Sequence, residues 1–178
     1  DSEADFSTVQ GSNGWHYGYF DLAHDANGQY QAADFQALTY GTKDSQGYIS
    51  TSWHNDTGTW TLINKDFVHP NGYNSPAGEQ WSILRYVAPE AGDIEFSYQF
   101  SRVNLNPTGN VIGSLFINGV NIAHSDGLSG AQTFSDMYTG RVSKGTIFDL
   151  AIAPNGLDYS DGSFIKANVV LAPVPEPE

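Results

Sequence analysis

The stretch from Asp93 to Val103 constrains the fold more than any other part of the chain. Apolar and polar residues alternate through it, and the apolar set is Ile94, Phe96, Tyr98 and Phe100. Successive side chains of a β-strand point to opposite faces of its sheet. The alternation therefore predicts a strand with one face in a core and the other in solvent. No segment combines helical periodicity with capping residues.

The same alternation predicts further strands. It returns in Thr146–Ala153 and in Ser163–Leu171. Ser114–Ile122 reads as a hairpin, because Asn118-Gly119 between two apolar runs favours a tight type I′ turn. Weaker strand patterns cover five other segments: Phe6–Gln10, His16–Phe20, Phe35–Tyr40, Thr59–Ile63 and Trp81–Val87.

Many short strands separated by glycine and proline indicate an all-β fold, an antiparallel β-sandwich or jelly roll. The chain has 178 residues, 19 of them glycine and 8 proline. This length suits one domain, which we place at residues 1–172. Residues 173–178 contain three prolines, which cannot join a hydrogen-bonded ladder, so we expect an extended linker there.

The charge balance limits the partners that the chain is expected to bind. Seven basic residues against 20 acidic ones give a formal net charge of −13. Nucleic acid and acidic membrane surfaces would be repelled, whereas divalent cations would be attracted. There is no cysteine, so disulfides and thiolate metal sites are excluded. No apolar run reaches the roughly 20 residues that a membrane-spanning helix needs.

Two tryptophans mark the strongest candidate for a ligand site. Trp53 and Trp60 flank a polar stretch that includes His54, Asn55 and Asp56. An indole offers an apolar face to a sugar ring, and neighbouring polar side chains bind its hydroxyl groups. These five residues are the predicted carbohydrate site. The alternative is that the tryptophans pack between the sheets.

A Gly-rich loop near the C-terminus carries the candidate calcium ligands Asn155, Asp158 and Asp161. Calcium takes six to eight oxygen ligands, which such a loop supplies in part. In jelly-roll carbohydrate modules, calcium ties the first strand region to the last loops, and by that analogy Asp5 joins the set. The spacing is not that of an EF-hand. The alternative is turn chemistry, in which Asp and Asn bond to their own backbone.

Catalytic motifs are absent from the sequence. It has no Gly-x-Ser-x-Gly, no phosphate-binding glycine loop and no cysteine nucleophile. A glycosidase would need a carboxylate pair, for which Glu95 and Asp149 are the candidates. A polysaccharide lyase would need Tyr and His beside a cation, for which the candidates are Arg85, Arg102 and Lys166. We therefore favour a non-catalytic protein.

Residues Val174-Pro175-Glu176-Pro177 match the sorting motif of PEP-CTERM proteins. The body is similar to β-sandwich ectodomains of those proteins at Asp5–Ser7, Trp15–Tyr19 and Leu84–Pro89. The resemblance implies export to the surface of a Gram-negative bacterium, recognition by an exosortase, and association with exopolysaccharide. In that family a transmembrane helix and a basic cluster follow the motif. Neither is present here, so we expect a chain truncated at the motif.

Three hypotheses follow. The first is a secreted or surface-sorted binding module for extracellular carbohydrate, with calcium in a structural role. The second is a structural or adhesive protein of an exopolysaccharide matrix, without a small ligand and with both Trp53 and Trp60 buried. The third, a polysaccharide lyase or hydrolase, requires a groove in which catalytic side chains converge.

Overall fold

A computed structural model describes residues 1–43, 50–55, 59–104, 109–157 and 161–173. Within these ranges the chain forms strands joined by turns and three short 3₁₀ helices, Ser12–Gly14, Leu22–His24 and Ala32–Asp34. In chain order the strands are β1 Trp15–Asp21, β2 Gln36–Ala37, β3 Thr39–Lys43, β4 Ser50–His54, β5 Leu62–Asn64, β6 Phe67–His69, β7 Gln80–Val87, β8 Gly92–Arg102, β9 Asn110–Ile117, β10 Val120–His124, β11 Leu128–Ser129, β12 Thr133–Val142, β13 Ile147–Pro154 and β14 Ser163–Pro173. No helix in this described part is long and apolar enough to cross a membrane.

The strands form two sheets with antiparallel pairing. Sheet A has the order β10-β9-β13-β7-β1-β2, and β11 pairs with β9. Sheet B has the order β12-β8-β14-β6-β5-β4-β3. The sheets pack face to face around one large apolar core, so the predicted all-β sandwich is confirmed.

The core lies where the alternation predicts it. The four apolar side chains of β8 are at most 4% exposed. Phe96 stacks on Phe148 of sheet A, with ring centroids 4.6 Å apart and planes 14° from parallel. Full burial of one such side chain stabilises the fold by about 1.5–3 kcal/mol. These rings hold the two sheets together.

The predicted hairpin is also confirmed. β9 and β10 are joined by Asn118 and Gly119, whose φ angles are 51° and 83°. A type I′ turn needs positive φ at both positions, which is why this dipeptide occurs there. A Cβ on Gly119 would lie 2.7 Å from the backbone nitrogen of Ala32, so the turn also packs against the chain before β2.

One predicted strand is wrong, and four observed strands were not predicted: β4, β6, β11 and β12. Residues 6–10 form a loop of bends and turns, because the Gln10 side chain makes the hydrogen bonds to β1 that a neighbouring strand would otherwise make. Its amide donates to the carbonyls of Tyr17 and Leu38, and its oxygen accepts from the Tyr17 N–H. The longest of the unpredicted strands is β12, at the edge of sheet B, whose side chains are mostly exposed and mixed in polarity.

A second, smaller apolar cluster covers the outer face of sheet A. Residues 22–35, which we call the cover segment, place Tyr30 and Phe35 over Phe20, Ile83 and other sheet residues. A Cβ on Gly18 would come within 2.2 Å of the Phe35 ring. The glycine in β1 therefore makes the space that seats the cover segment.

The topology gathers several connections at one end of the sandwich, which we call the loop end. Gln80 of β7, Pro154 of β13 and Ser163 of β14 lie at this end. The connections β4–β5, β6–β7, β10–β12 and β13–β14 all meet there. The predicted sugar-binding and calcium-binding loops are thus at the same end.

Candidate functional site

The β6–β7 connection, residues 70–79, links the two predicted loops. The Trp60 backbone N–H donates to Asn71 Oδ1 at 2.9 Å. On the other side, the Tyr73 N–H donates to the carbonyl of Gly156 at 3.4 Å. Trp60 and Asn155 therefore belong to neighbouring parts of one surface, with Tyr73 between them.

Asn71 fixes this connection from inside. It is 0% exposed, and it exchanges two backbone hydrogen bonds of 2.9 Å with Gln80. Its Nδ2 donates to the carbonyls of Pro76 and Gly78 at 3.0 and 2.6 Å. Since a buried polar group left unpaired costs about 1–3 kcal/mol, this side chain holds the connection in one conformation.

A second buried network holds the chain on either side of residues 56–58. Asn55 Nδ2 and Thr61 Oγ1 both donate to Gln80 Oε1 at 2.8 Å. Thr59 Oγ1 donates to Asn55 Oδ1 at 2.7 Å. Asn55 is 7% exposed, so its amide supports the loop and is not presented to a ligand, contrary to the prediction. Asp56 lies outside the described residues.

Trp53 is part of the core. It is 3% exposed and stacks on Tyr17 with centroids 4.9 Å apart, while its Nε1 donates to the Ser7 carbonyl at 2.9 Å. The ring has no face open to a sugar, and the prediction that it binds one is corrected. The neighbouring His54 is 5% exposed and is likewise enclosed.

Two aromatic side chains of the β4–β5 and β6–β7 connections reach solvent, Trp60 and Tyr73. Trp60 is partly exposed, and its ring lies 5.9 Å from the ring of His69. Tyr73 is 60% exposed. The sequence analysis did not identify Tyr73 as a site residue. Its neighbours Gly72 and Asn74 favour a turn, where an aromatic side chain is not buried by a sheet, and this was the available signal for its exposure. Together the two rings give the loop end an apolar surface among polar groups.

The predicted calcium ligands do not all converge. Asn155 is exposed at the loop end, and its N–H donates to the Asn110 carbonyl at 3.1 Å. Asp161 is 0% exposed, and Asp158 lies outside the described residues. Within those residues no group of three or more His, Asp or Glu side chains is placed to hold a metal.

Asp5 lies at the opposite end of the sandwich. It accepts from the N-terminal amine at 2.8 Å and from Asn13 Nδ2 at 3.3 Å, beside the start of β1. Trp15 at that start pairs with Tyr86, six residues along β7 from Gln80. At about 3.3 Å per residue the separation is about 20 Å. Asp5 therefore cannot share a cation with Asn155, and this part of the prediction is wrong.

The candidate catalytic carboxylates are on different sheets. Glu95 is exposed on the outer face of sheet B, whereas Asp149 is 0% exposed under the cover segment of sheet A. Asp149 accepts from Arg85 Nε at 2.7 Å, Arg85 Nη2 at 3.0 Å and the Tyr30 hydroxyl at 2.7 Å. The proposed glycosidase pair is therefore not formed.

Tyr30, His16 and Arg85 are close together, as a lyase would require, but they are engaged in structure. Burial, with the Asp149 charge, raises the pKa of Tyr30, which keeps its hydroxyl protonated and unsuited to act as a base. Burial, with the Arg85 charge, lowers the pKa of His16. Arg85 also donates to the Ala32 carbonyl at 2.8 Å. The group anchors the cover segment.

No known protein family matches the chain, and no curated protein is found to be similar to it. Among solved structures, a ruminal GH26 endo-beta-1,4-mannanase matches 79% of this chain and 27% of its own, at 13% identity and a TM-score of 0.35. A beta-glucosidase from Kluyveromyces marxianus matches 95% of this chain and 17% of its own, at 15% identity and a TM-score of 0.38. The chain thus spans less than a third of either enzyme. A family 35 carbohydrate binding module from Clostridium thermocellum matches 80% of this chain and 96% of its own, at 11% identity and a TM-score of 0.35. At scores this low, nothing about the ligand of this chain rests on the likeness.

Proposed function

We propose that this protein is a non-catalytic module that binds extracellular carbohydrate at the loop end, with Trp60 and Tyr73 as the rings on which sugars pack. One observation carries the proposal. An exposed tyrosine and a partly exposed tryptophan lie on connections that Asn71 and Gln80 fix from inside. Side chains on fixed backbone lose little conformational freedom when a ligand binds, so more of the contact energy appears as affinity.

The charge of the protein selects among glycans. At a net charge of −13, a polymer of uronic acids would be repelled unless cations bridge it. A neutral polysaccharide meets no such barrier. We therefore expect neutral glycans to bind more tightly than acidic ones.

Sorting and calcium are proposed from the sequence. Export to the cell surface of a Gram-negative bacterium, with exosortase recognition in the full-length protein, is supported by the motif at Val174–Pro177, which lies outside the described residues. A structural calcium ion in the loop that carries Asn155, Asp158 and Asp161 is supported by the oxygen ligands of that loop.

The binding experiment compares Tyr73→Ala and Trp60→Ala with Met137→Ala. Met137 is 52% exposed on β12, so its truncation removes a similar apolar surface elsewhere. We expect both aromatic variants to lose about fivefold or more in affinity for neutral glycans that the wild type binds on an array, since a stacking contact is worth about 1 kcal/mol. Met137→Ala should bind as the wild type does. Unchanged binding by both aromatic variants would refute the assignment of the site.

The burial of Trp53 favours a second candidate, a structural or adhesive matrix protein without a small ligand. It differs from the first in one measurable way. A matrix protein of this kind gives no saturable binding to any soluble oligosaccharide, whereas a binding module does.

A further inference from the structure

An open pocket of about 310 Å³ lies at the loop end, beside β11 and β12. It is formed where the edge of sheet B approaches the short strand that extends sheet A. Its volume is at the lower end of the roughly 300–1,000 Å³ usual for small-molecule sites. None of the predicted site residues lines it.

The pocket has an apolar floor contributed by both sheets. Leu128 of β11 is 7% exposed, and Phe134 of β12 is partly buried against the core. The Phe134 ring is stacked on Phe100 at a centroid distance of 6.4 Å, which fixes its orientation. A fixed aromatic wall with a few polar groups around it is the usual design of a sugar-binding pocket.

The polar groups at the rim are complementary to sugar hydroxyls. Gln132 Oε1 accepts from the N–H and hydroxyl of Ser129, at 2.8 and 3.3 Å, so its Nε2 is left as a donor. The Asp126 side chain is exposed, and within the described ranges no protein group donates to its carboxylate. A carboxylate accepts two hydroxyl hydrogens and an amide nitrogen donates to a third oxygen.

The pocket and the Tyr73 surface lie on two sides of the same loop. A Cβ on Gly127 would be 3.1 Å from Asn155 Nδ2, and the next residue, Gly156, accepts from the Tyr73 N–H. Leu128 of β11 lines the pocket, and in sheet A the strands β9 and β13 lie between β11 and β7, the strand that follows Tyr73. Neighbouring strands are about 4.8 Å apart, so three spacings separate the two surfaces by about 14 Å.

We propose that this pocket is a second subsite, which takes one neutral pyranose unit of a glycan chain whose other units pack on Tyr73 and Trp60. The ligand is then an oligosaccharide segment and not a single sugar. The inference rests on the proposed function, and it adds Asp126, Gln132 and Phe134 to the site.

The test uses the disaccharide and hexasaccharide of three neutral series, β-1,4-linked glucose, mannose and xylose, in calorimetric titrations of the intact chain. The variant is Asp126→Asn, which keeps the side-chain shape and breaks no hydrogen bond in the described structure. The control is Asp66→Asn, an exposed residue in the turn between β5 and β6 that changes the net charge equally. Thermal unfolding of each variant verifies that it is folded.

We expect the wild type and Asp66→Asn to bind the hexasaccharide of at least one series about tenfold or more tightly than its disaccharide. In Asp126→Asn the hexasaccharide should bind no more tightly than the disaccharide, because the substitution removes a hydrogen bond to a charged group, and one such bond is worth about tenfold in affinity. Wild-type hexasaccharide affinity in Asp126→Asn, with a loss in Tyr73→Ala, would overturn the second subsite and leave the proposed function intact. Equal affinity of the wild type for the disaccharide and the hexasaccharide would also overturn the second subsite and leave the proposed function intact. Absence of binding to every glycan would overturn the proposed function itself.

Discussion

The anchor of the cover segment makes the most quantitative prediction for the stability of the fold. Asp149 is 0% exposed and accepts two hydrogen bonds from Arg85 and one from Tyr30, all between 2.7 and 3.0 Å. Replacement by asparagine in Asp149→Asn keeps the shape but leaves the guanidinium beneath the cover segment without its counter-charge. Breaking a buried ion pair in this way costs about 3–5 kcal/mol. Small domains have about 5–15 kcal/mol in total, so the loss is a large fraction.

Urea denaturation followed by tryptophan fluorescence measures this loss. Trp81 reports on the cluster directly, since its ring lies 5.1 Å from Phe20 under the cover segment. Glu95→Gln, at an exposed carboxylate on sheet B, is the matched control and should change the free energy of unfolding by less than about 0.5 kcal/mol.

A double variant separates the loss of a charge from the loss of packing. The double variant Arg85→Met with Asp149→Leu leaves neither partner of this buried ion pair, and we expect it to recover part of the stability lost in Asp149→Asn. The Tyr30 hydroxyl then lacks its acceptor, so recovery should be incomplete. A loss in Asp149→Asn no larger than that in Glu95→Gln would refute the view that this ion pair anchors the cover segment.

Three other predictions concern the same fold. Gly18→Ala should lower the free energy of unfolding in urea by about 1–3 kcal/mol and speed hydrogen exchange in the cover segment, because the added methyl group overlaps Phe35. The control Gly41→Ala should have neither effect, since a Cβ there has no atom closer than 3.8 Å, and equal effects of the two substitutions would contradict the prediction. Burial and Arg85 lower the pKa of His16 in the folded protein, so the free energy of unfolding should decrease as the pH falls below the ordinary histidine pKa of about 6.5. The decrease should be shallower in His16→Gln, and identical pH profiles of the two proteins would contradict the prediction. If the proposed calcium ion is bound, EDTA should lower the melting temperature and added calcium should restore it, whereas no effect of either would remove calcium from the account.

The strands that the sequence predicts best are those with one buried face. β8 and β14 alternate because each must bury one set of side chains, and a one-residue shift would expose that set. β12 escaped prediction because an edge strand has exposed positions on both faces. Residues 6–10 were mistaken for a strand because a side chain, that of Gln10, satisfies the backbone groups that a strand would have satisfied.

The site was harder to predict than the fold, for a physical reason. Trp53 and Trp60 look alike in the sequence, and both follow polar residues. Trp53 is in the strand that pairs with β5, and it faces the core, whereas Trp60 lies in the connection and is partly exposed. Asp5 and Asn155 are both plausible calcium ligands until the direction of β1 and β13 sets them at opposite ends. The pocket at Asp126 depends on contact between two sheet edges, which no local pattern reveals.

The most direct test of the central claim is a titration of the ¹⁵N-labelled protein with the neutral glycan that binds best, followed by amide and indole resonances. The account predicts that shifts concentrate at the loop end, at the Trp60 indole, Gly72, Gly127 and Gly156, and leave Ser97 and Lys166 on the outer face of sheet B unchanged. Shifts centred on that outer face, or no saturable shifts with any glycan, would contradict it.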